Sequence, residues 1–294
     1  MSELANNKHT SCLICGDHGI DPLRNYVRVP LFKCSHCSFV FCQNIPTSQE
    51  LQSYYSNYGL SQYLSPITVN RYHEWLDEFE QYKRSGNLLD VGCASGLFLQ
   101  EAKKRGWKVY GSEYGDEQVA HCRSLGITMH QGPLTEQAFQ GVEFDVITSI
   151  EVIEHINNPV QEMQLIHAKL RAGGLFYCTT PNFNALSRFY LRDKYNIISY
   201  PEHLSYYTPG TLSKLMHSTG FKKRKVTTSG ISITRFNLST GRKQQQVVSS
   251  TSDDEKLRRK IEARWHLKLA KKILNFLFAI SGTGYSLKGW FVKR

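Results

Sequence analysis

The fold is decided between Asn87 and Glu113, which reads NLLDVGCASGLFLQEAKKRGWKVYGSE. Leu88 to Val91 is a short apolar run, Gly92-Cys93-Ala94-Ser95-Gly96 is a glycine turn, and Leu97, Phe98 and Ala102 then recur at helical spacing. Strand, turn and helix in that order open a βαβ unit, and the next strand, Trp107 to Gly111, leads into Glu113. Gly92 and Gly96 let the backbone approach a ligand closely, and the free N–H groups at the helix start favour polar or anionic atoms. A carboxylate about twenty residues past the first glycine can accept two hydrogen bonds from ribose hydroxyls. The full G-x-G-x-x-G and G-x-x-x-x-G-K-[ST] patterns are both missing, which argues against a dinucleotide or a nucleoside triphosphate. The expected ligand carries a ribose and little phosphate.

With Glu113 behind it, the run Asp90-Val91-Gly92-Cys93-Ala94-Ser95-Gly96 resembles motifs I and II of class I S-adenosylmethionine-dependent methyltransferases. The stretch from Phe144 to His155 (FDVITSIEVIEH), which includes Ser149 and Ile150, is similar to their fourth motif, and Leu170 to Asn182 to their fifth strand. Together with PEHLSYYTP (Pro201 to Pro209) and the cysteine-rich segment in front, the chain resembles bacterial zinc-ribbon methyltransferases of glycan or small-molecule tailoring, over residues 12 to about 236. The resemblance implies a Rossmann-like α/β fold with a seven-stranded, mostly parallel sheet. It places Asp90, Gly92 and Ser95 at the methionyl part of S-adenosyl-L-methionine, Glu113 at the ribose and Tyr114 beside the adenine, with Cys93, Ala94, Gly96, Gly132, Pro133, Ser149 and Ile150 also at the cofactor. Where many relatives hold the adenine amino group with Asp, this chain has Gln131-Gly132-Pro133-Leu134.

Four of the eight cysteines form Cys12-x-x-Cys15 and Cys34-x-x-Cys37. Two such turns facing each other make a tetrahedral thiolate cage for Zn²⁺, with Zn–S distances of about 2.3 Å and no position left for water. A structural ion is therefore expected, against alternatives of two disulfides or four buried thiols. His36 and Cys42 are the alternative ligands. Tyr26 to Phe32 and Ser38 to Phe41 read as the paired strands of the ribbon.

Methyl transfer from a sulfonium is an in-line displacement that needs a base only where the acceptor must lose a proton. Candidate catalytic residues are Glu151 and His155, after the fourth strand, and His203 in YPEHLSYYT. Ubiquinone-biosynthesis O-methyltransferases resemble this chain in carrying Glu-Val-x-Glu-His, which implies a Mg²⁺ reading for Glu151, Glu154 and His155.

The chain has 294 residues and net charge +11, with 36 Lys+Arg against 25 Asp+Glu. Residues 221–294 hold 18 of the basic and 4 of the acidic residues, net +14, so the first 220 are near neutral at −3. The polar N-terminus from Met1 to Thr10 shows no secretory pattern and no run approaches a membrane span, so a cytoplasmic protein is expected. The expected organisation is a zinc ribbon over 1–47, linker helices over 48–84, a methyltransferase core over 85–236, an insertion over 237–283 and a final edge strand over 284–294. Within the insertion one helix is expected from Glu255 to Ile280, capped by Asp253 and Asp254. It joins an apolar face to a basic stripe of Arg264, Lys268, Lys271 and Lys272. Three readings follow: a lid or homodimer helix, peripheral contact with anionic membrane at its inner face, or nucleic-acid binding. The acceptor is expected to be a small molecule, a glycan or a lipid-linked sugar methylated on O or C. RNA methylation and a silent zinc-ribbon scaffold are the rival functions.

Overall fold

The computed structural model describes residues 8–47, 49–51, 64–242 and 249–294. Ser48 and residues 52–63 of the Tyr- and Ser-rich stretch, residues 1–7 and part of the polar run after Ser239 lie outside the described residues. The main sheet has seven strands in the order β10-β11-β8-β7-β4-β5-β6. These are β4 (Asn87–Val91), β5 (Lys108–Glu113), β6 (Thr128–Gln131), β7 (Phe144–Ile150), β8 (Leu170–Pro181), β10 (Phe221–Ser229) and β11 (Ser286–Lys293).

β4 to β8 are parallel, and β11 runs antiparallel to both β8 and β10. The final strand is therefore not at the edge, as its position in the sequence suggested. It inserts between β8 and β10, and β10 takes the edge. Buried there on both sides, its Leu287 and Phe291 are fully enclosed. The central strand β7 is buried along nearly its whole length, as a strand covered on both faces must be.

One face of the sheet is covered by α1 (Pro66–Phe79) and α2 (Leu97–Lys104), through Trp75, Leu76, Phe79, Phe98 and Leu99 packed on Tyr177 and Trp290. The other carries α4 (Pro159–Lys169) and α6 (Pro209–Ser218), while α3 (Asp116–Ser124) lies beside β5 and β6 with its Cys122 in the same cluster as Phe98 and Leu99. Burying each of these large side chains stabilises the fold by about 1.5–3 kcal/mol. Asp145 is fully buried but tolerated as a charge, because the N–H groups of Arg84 and Gly86 and the Arg171 guanidinium all donate to it.

A second sheet is built by β1 (Ile20–Pro22), β2 (Leu31–Cys34), β3 (Val40–Cys42) and β9 (Ser205–Tyr206), in that order. The strand expected from Tyr26 is β2 and starts only at Leu31, since residues 27–30 turn, and β1 precedes it. β9 pairs with β3, and Cys12, Cys34, Cys37, Phe39 and Phe41 share a core with Leu89, Phe176 and Tyr207. The cysteine-rich segment and the α/β core are thus one packed body.

The helix expected over 255–280 is two helices, α8 (Asp253–Glu262) and α9 (Trp265–Ser281), broken at Ala263-Arg264. The cap of α8 is Ser252, not Asp253 or Asp254, and its hydroxyl accepts from the Glu255 N–H. α5 (Leu186–Leu191) and α7 (Ile233–Ser239) complete the helices named here.

Candidate active site

The glycine turn closes over the carboxyl ends of β4 and β5. Gly92 has φ +72°, and a Cβ there would lie 2.6 Å from Val152 Cγ2. Gly96 has φ +69°, and its Cβ would lie 2.8 Å from Ile127 and 2.9 Å from Cys122 Sγ. Both positions need glycine for conformation and for space. Ala94 also takes a positive φ, and its N–H donates to Glu113 Oε2 at 2.9 Å, while Tyr114 N–H donates to Oε1 at 2.7 Å. Glu113 is thus fixed across the turn, with lone pairs left on both oxygens for a ligand. Tyr114 next to it is 60% exposed, offering a ring face to a planar group.

Beneath the turn, Asp90 is 4% exposed and accepts from the Thr148 hydroxyl at 2.6 Å. Burial pushes its carboxyl up to about 7; the Thr148 bond opposes the shift and the nearby Glu113 charge adds to it. Ser149 is fully buried next to Val91 in register, and its hydroxyl has no hydrogen-bond partner. Ile150 closes the apolar side. At the end of β6, Gly132 N–H donates to the Glu113 carbonyl at 2.8 Å, which ties Gly132 and Pro133 to the same rim. Gln131 donates its amide to the Asp116 carboxylate. Positions 90 to 96, 113, 114, 132, 133, 149 and 150 therefore converge on one cleft at the carboxyl ends of the strands, where open α/β sheets place ligands.

On the far side of the cleft Glu151 takes φ +58°, and its N–H donates to the Thr179 carbonyl at 2.9 Å. His155 Nδ1 lies 2.6 Å from the Glu202 carbonyl and His203 Nδ1 lies 2.7 Å from the Ile197 carbonyl. A carbonyl can only accept, so His203 Nδ1 carries the proton and its Nε2 the lone pair, whereas the His155 ring has a second carbonyl, that of Glu151, as a hydrogen-bond acceptor. Burial lowers both imidazoles, with His203 brought to about 4 by burial and by His155. Both are neutral at pH 7. The His155 side chain is 20% exposed and that of His203 5%, so His155 faces the opening with His203 behind it.

Glu154 is 3% exposed, with one carboxylate oxygen lacking any hydrogen-bond partner, and burial together with Glu151 raises it well above the usual carboxylate range. The three groups that cluster here within 4.8 Å are Glu154, His155 and His203. Glu151 stands outside them, so the trio Glu151, Glu154 and His155 expected for Mg²⁺ is not assembled. The turn after β7 sends Glu151 toward Thr179 and Glu154 inward.

The Sγ atoms of Cys12, Cys15, Cys34 and Cys37 all lie within 4.8 Å of one another, with Cys12 to Cys37 at 3.4 Å and Cys15 to Cys34 at 3.6 Å. A tetrahedral Zn²⁺ with bonds of about 2.3 Å requires sulfur separations near 3.8 Å, so the four thiols fit one ion. His36 and Cys42 are not in the cluster.

Thr148, which holds Asp90 from the neighbouring strand, was missed from the sequence because it lies 58 positions from it and no local pattern links them.

The model of a methyltransferase domain family matches residues 67–226. The chain is 34% identical over 106 residues to the ubiquinone biosynthesis O-methyltransferase of Ruegeria pomeroyi and 30% identical over 106 residues to that of Roseobacter denitrificans. Each alignment covers 34% of this chain and 43% of the relative, so the chain spans less than half the length of these relatives. The structure superposes on an S-adenosylmethionine-dependent methyltransferase from Archaeoglobus fulgidus with a TM-score of 0.51 and 16% identity, over 77% of this chain and 93% of the other. That likeness establishes the fold.

Proposed function

The chain belongs to the methyltransferase domain family, and from that premise we propose that it transfers a methyl group from S-adenosyl-L-methionine to an O or C atom of a small acceptor such as a glycan, a lipid-linked sugar or a related metabolite. The observation that carries this reading is the cradle of Gly92 to Gly96 pinned by Glu113, beside the buried Asp90. The donor set fits the cofactor: paired acceptor oxygens on Glu113 suit a ribose, the exposed Tyr114 ring suits an adenine, and Asp90 suits the cationic methionyl end.

When bound, S-adenosyl-L-methionine supplies an electrophilic methyl group. The protein aligns the acceptor in the cleft and excludes water from it. His155 removes the acceptor proton at Nε2, and the Glu202 carbonyl holds the ring by its Nδ1–H. His203 is a positioning residue that keeps His155 upright. Titration of the full chain with S-adenosyl-L-methionine by calorimetry, followed by radiolabelled transfer to candidate acceptors, tests the reading. Failure to bind the cofactor would leave the silent scaffold, and transfer to RNA alone would replace the small acceptor.

Cys12, Cys15, Cys34 and Cys37 hold a structural Zn²⁺ in this reading. The outer face of α9 meets an anionic lipid surface. Trp265, Leu269, Ile273, Phe276, Leu277 and Ile280 are each at least half exposed on that face, while Phe278 is buried on the opposite one. Lys272 lies beside the apolar strip, and Lys268 and Lys271 share the single Glu262 carboxylate, which leaves this stripe net positive. In a contact between two copies these cations would bring like charges together, whereas anionic headgroups complement them.

A further inference from the structure

The chain between β8 and β9 carries His203 but little regular structure, only α5 and one 3₁₀ turn, Arg192–Lys194. Its buried backbone groups must therefore find partners outside helices and strands. The cysteine-rich segment supplies several of them. Val29, Leu31 and Cys42 of that segment share a core with Tyr195, Ile197 and Leu204. Arg28, in the turn before β2, reaches over this core. Its Nη2 donates to the Ile198 carbonyl at 2.6 Å and to the Tyr195 carbonyl at 3.2 Å, and its backbone N–H donates to the Asp193 carboxylate at 3.2 Å. The two carbonyls lie 170 and 167 positions along the chain from Arg28, so these are tertiary bonds and not those of a local turn.

Tyr195 and Ile198 bracket the peptide unit that joins Ile197 to Ile198. That unit is trans, so its N–H and C=O point in opposite directions. The N–H donates to the Tyr195 carbonyl at 2.9 Å. The C=O is thereby turned the other way, where it accepts from His203 Nδ1 at 2.7 Å. By holding the Tyr195 and Ile198 carbonyls, the guanidinium fixes the peptide plane that sets the His203 tautomer. A second link runs beside the first: Cys42 N–H donates to the Leu204 carbonyl and Leu204 N–H to the Glu154 carbonyl, both at 2.8 Å. Leu204 adjoins His203 and Glu154 adjoins His155, so both rings are approached from the cysteine-rich side. Ile197, Ile198 and His203 are all buried, and a carbonyl stripped of its donor in such surroundings is left to turn toward another partner.

We propose that Arg28 is a positioning residue for methyl transfer, which holds His203 in one tautomer against His155 by bracketing the Ile197–Ile198 peptide. The cysteine-rich segment then supplies part of the transfer site as well as a metal cage. This role rests on reading His155 as the base of a methyltransferase.

The test reads the His203 ring directly, by long-range proton–nitrogen correlation on the ¹⁵N-labelled full chain near pH 7, with His203→Asn identifying its signals. Turnover is then measured with an acceptor found by the radiolabelled screen. The unaltered chain is expected to show the Nδ1–H form of His203 alone, and Arg28→Ala a mixture of the Nδ1–H and Nε2–H forms with unchanged affinity for S-adenosyl-L-homocysteine. Arg28→Ala should lower kcat by up to about tenfold, and should cost nothing further in the His203→Asn background, because the arginine acts through that ring. Arg24→Ala, which removes an exposed arginine of the same segment, should change neither reading. Should Arg28→Ala fail to fold, Arg28→Lys takes its place, with the same mixture expected because an ammonium lacks the fixed planar fork. A single tautomer in the Arg28 variants, equal changes in Arg24→Ala, or losses that add to those of His203→Asn would overturn the proposal. Mixed tautomers with undiminished turnover would also overturn it and leave the methyltransferase reading standing. Failure of the unaltered chain to bind the cofactor analogue would instead sink that reading.

Discussion

The His155 and His203 rings meet edge to face, 5.0 Å between centroids and 67° between planes, with each Nδ1 hydrogen-bonded to a backbone carbonyl. Of these two neutral imidazoles only His155 opens toward the cleft.

Removing the ring that faces the acceptor should therefore cost far more than removing the one behind it. His155→Asn is expected to lower kcat by about 10²–10⁴-fold with cofactor affinity unchanged. His203→Asn is expected to lower it by roughly tenfold and to shift the acid limb of the pH–rate profile. Both imidazoles titrate below their usual 6.5 when folded, so the stability they lend is full above that value. It is lost as pH falls toward about 4. Undiminished turnover in both variants removes them from the chemistry.

Asp90 offers a second handle on pH. Its folded-state value, about 7, lies above the ordinary 3.8, so its stabilising effect is present at low pH and lost as pH rises through 7. A cationic ligand beside it should reverse that shift and expel the proton. Calorimetry of S-adenosyl-L-methionine at pH 6 in buffers of different ionisation enthalpy should show net proton release, and Asp90→Asn should abolish it. Binding heats independent of buffer would place the cation elsewhere.

The thiol cage predicts one zinc per chain by elemental analysis. Cys12 and Cys37 share the core with Phe39 and Tyr207, so stripping the metal should loosen β3 and the β9 strand paired to it. A fall in Tm of at least about 5 °C on chelation is expected, because binding energy at such a site is folding energy. Zinc-free protein with an unchanged Tm contradicts the structural role.

For α9, co-sedimentation with vesicles containing phosphatidylglycerol should exceed that with neutral phosphatidylcholine by about tenfold at low salt, and fall as salt rises. The triple variant Trp265→Ser, Phe276→Ser, Ile280→Ser should lose the binding while keeping its Tm. A dimer in light scattering that the same variant dissolves would assign the face to a second copy. RNA binding without lipid binding would assign the basic stripe to nucleic acid.

The βαβ start, the Glu113 carboxylate that pins the glycine turn and the cysteine quartet were legible from residues 12 to 113 because each is a local signal. A turn needs its glycines, a cage needs its thiols at fixed spacing, and a strand followed by a helix shows in the hydrophobic period. The same locality misled over α8 and α9, where a four-residue apolar repeat ran on through the break at Ala263-Arg264. It also misled over β11, whose place between β8 and β10 is set by pairing with strands more than 50 positions away. The pairing of β3 with β9, which fuses the cysteine-rich sheet to the loop bearing His203, left no trace in either segment. Sequence by itself determined which short segments could turn, coordinate and pack. Only the tertiary structure decided which charges face one another, since that depends on which strands lie side by side once their apolar faces are buried.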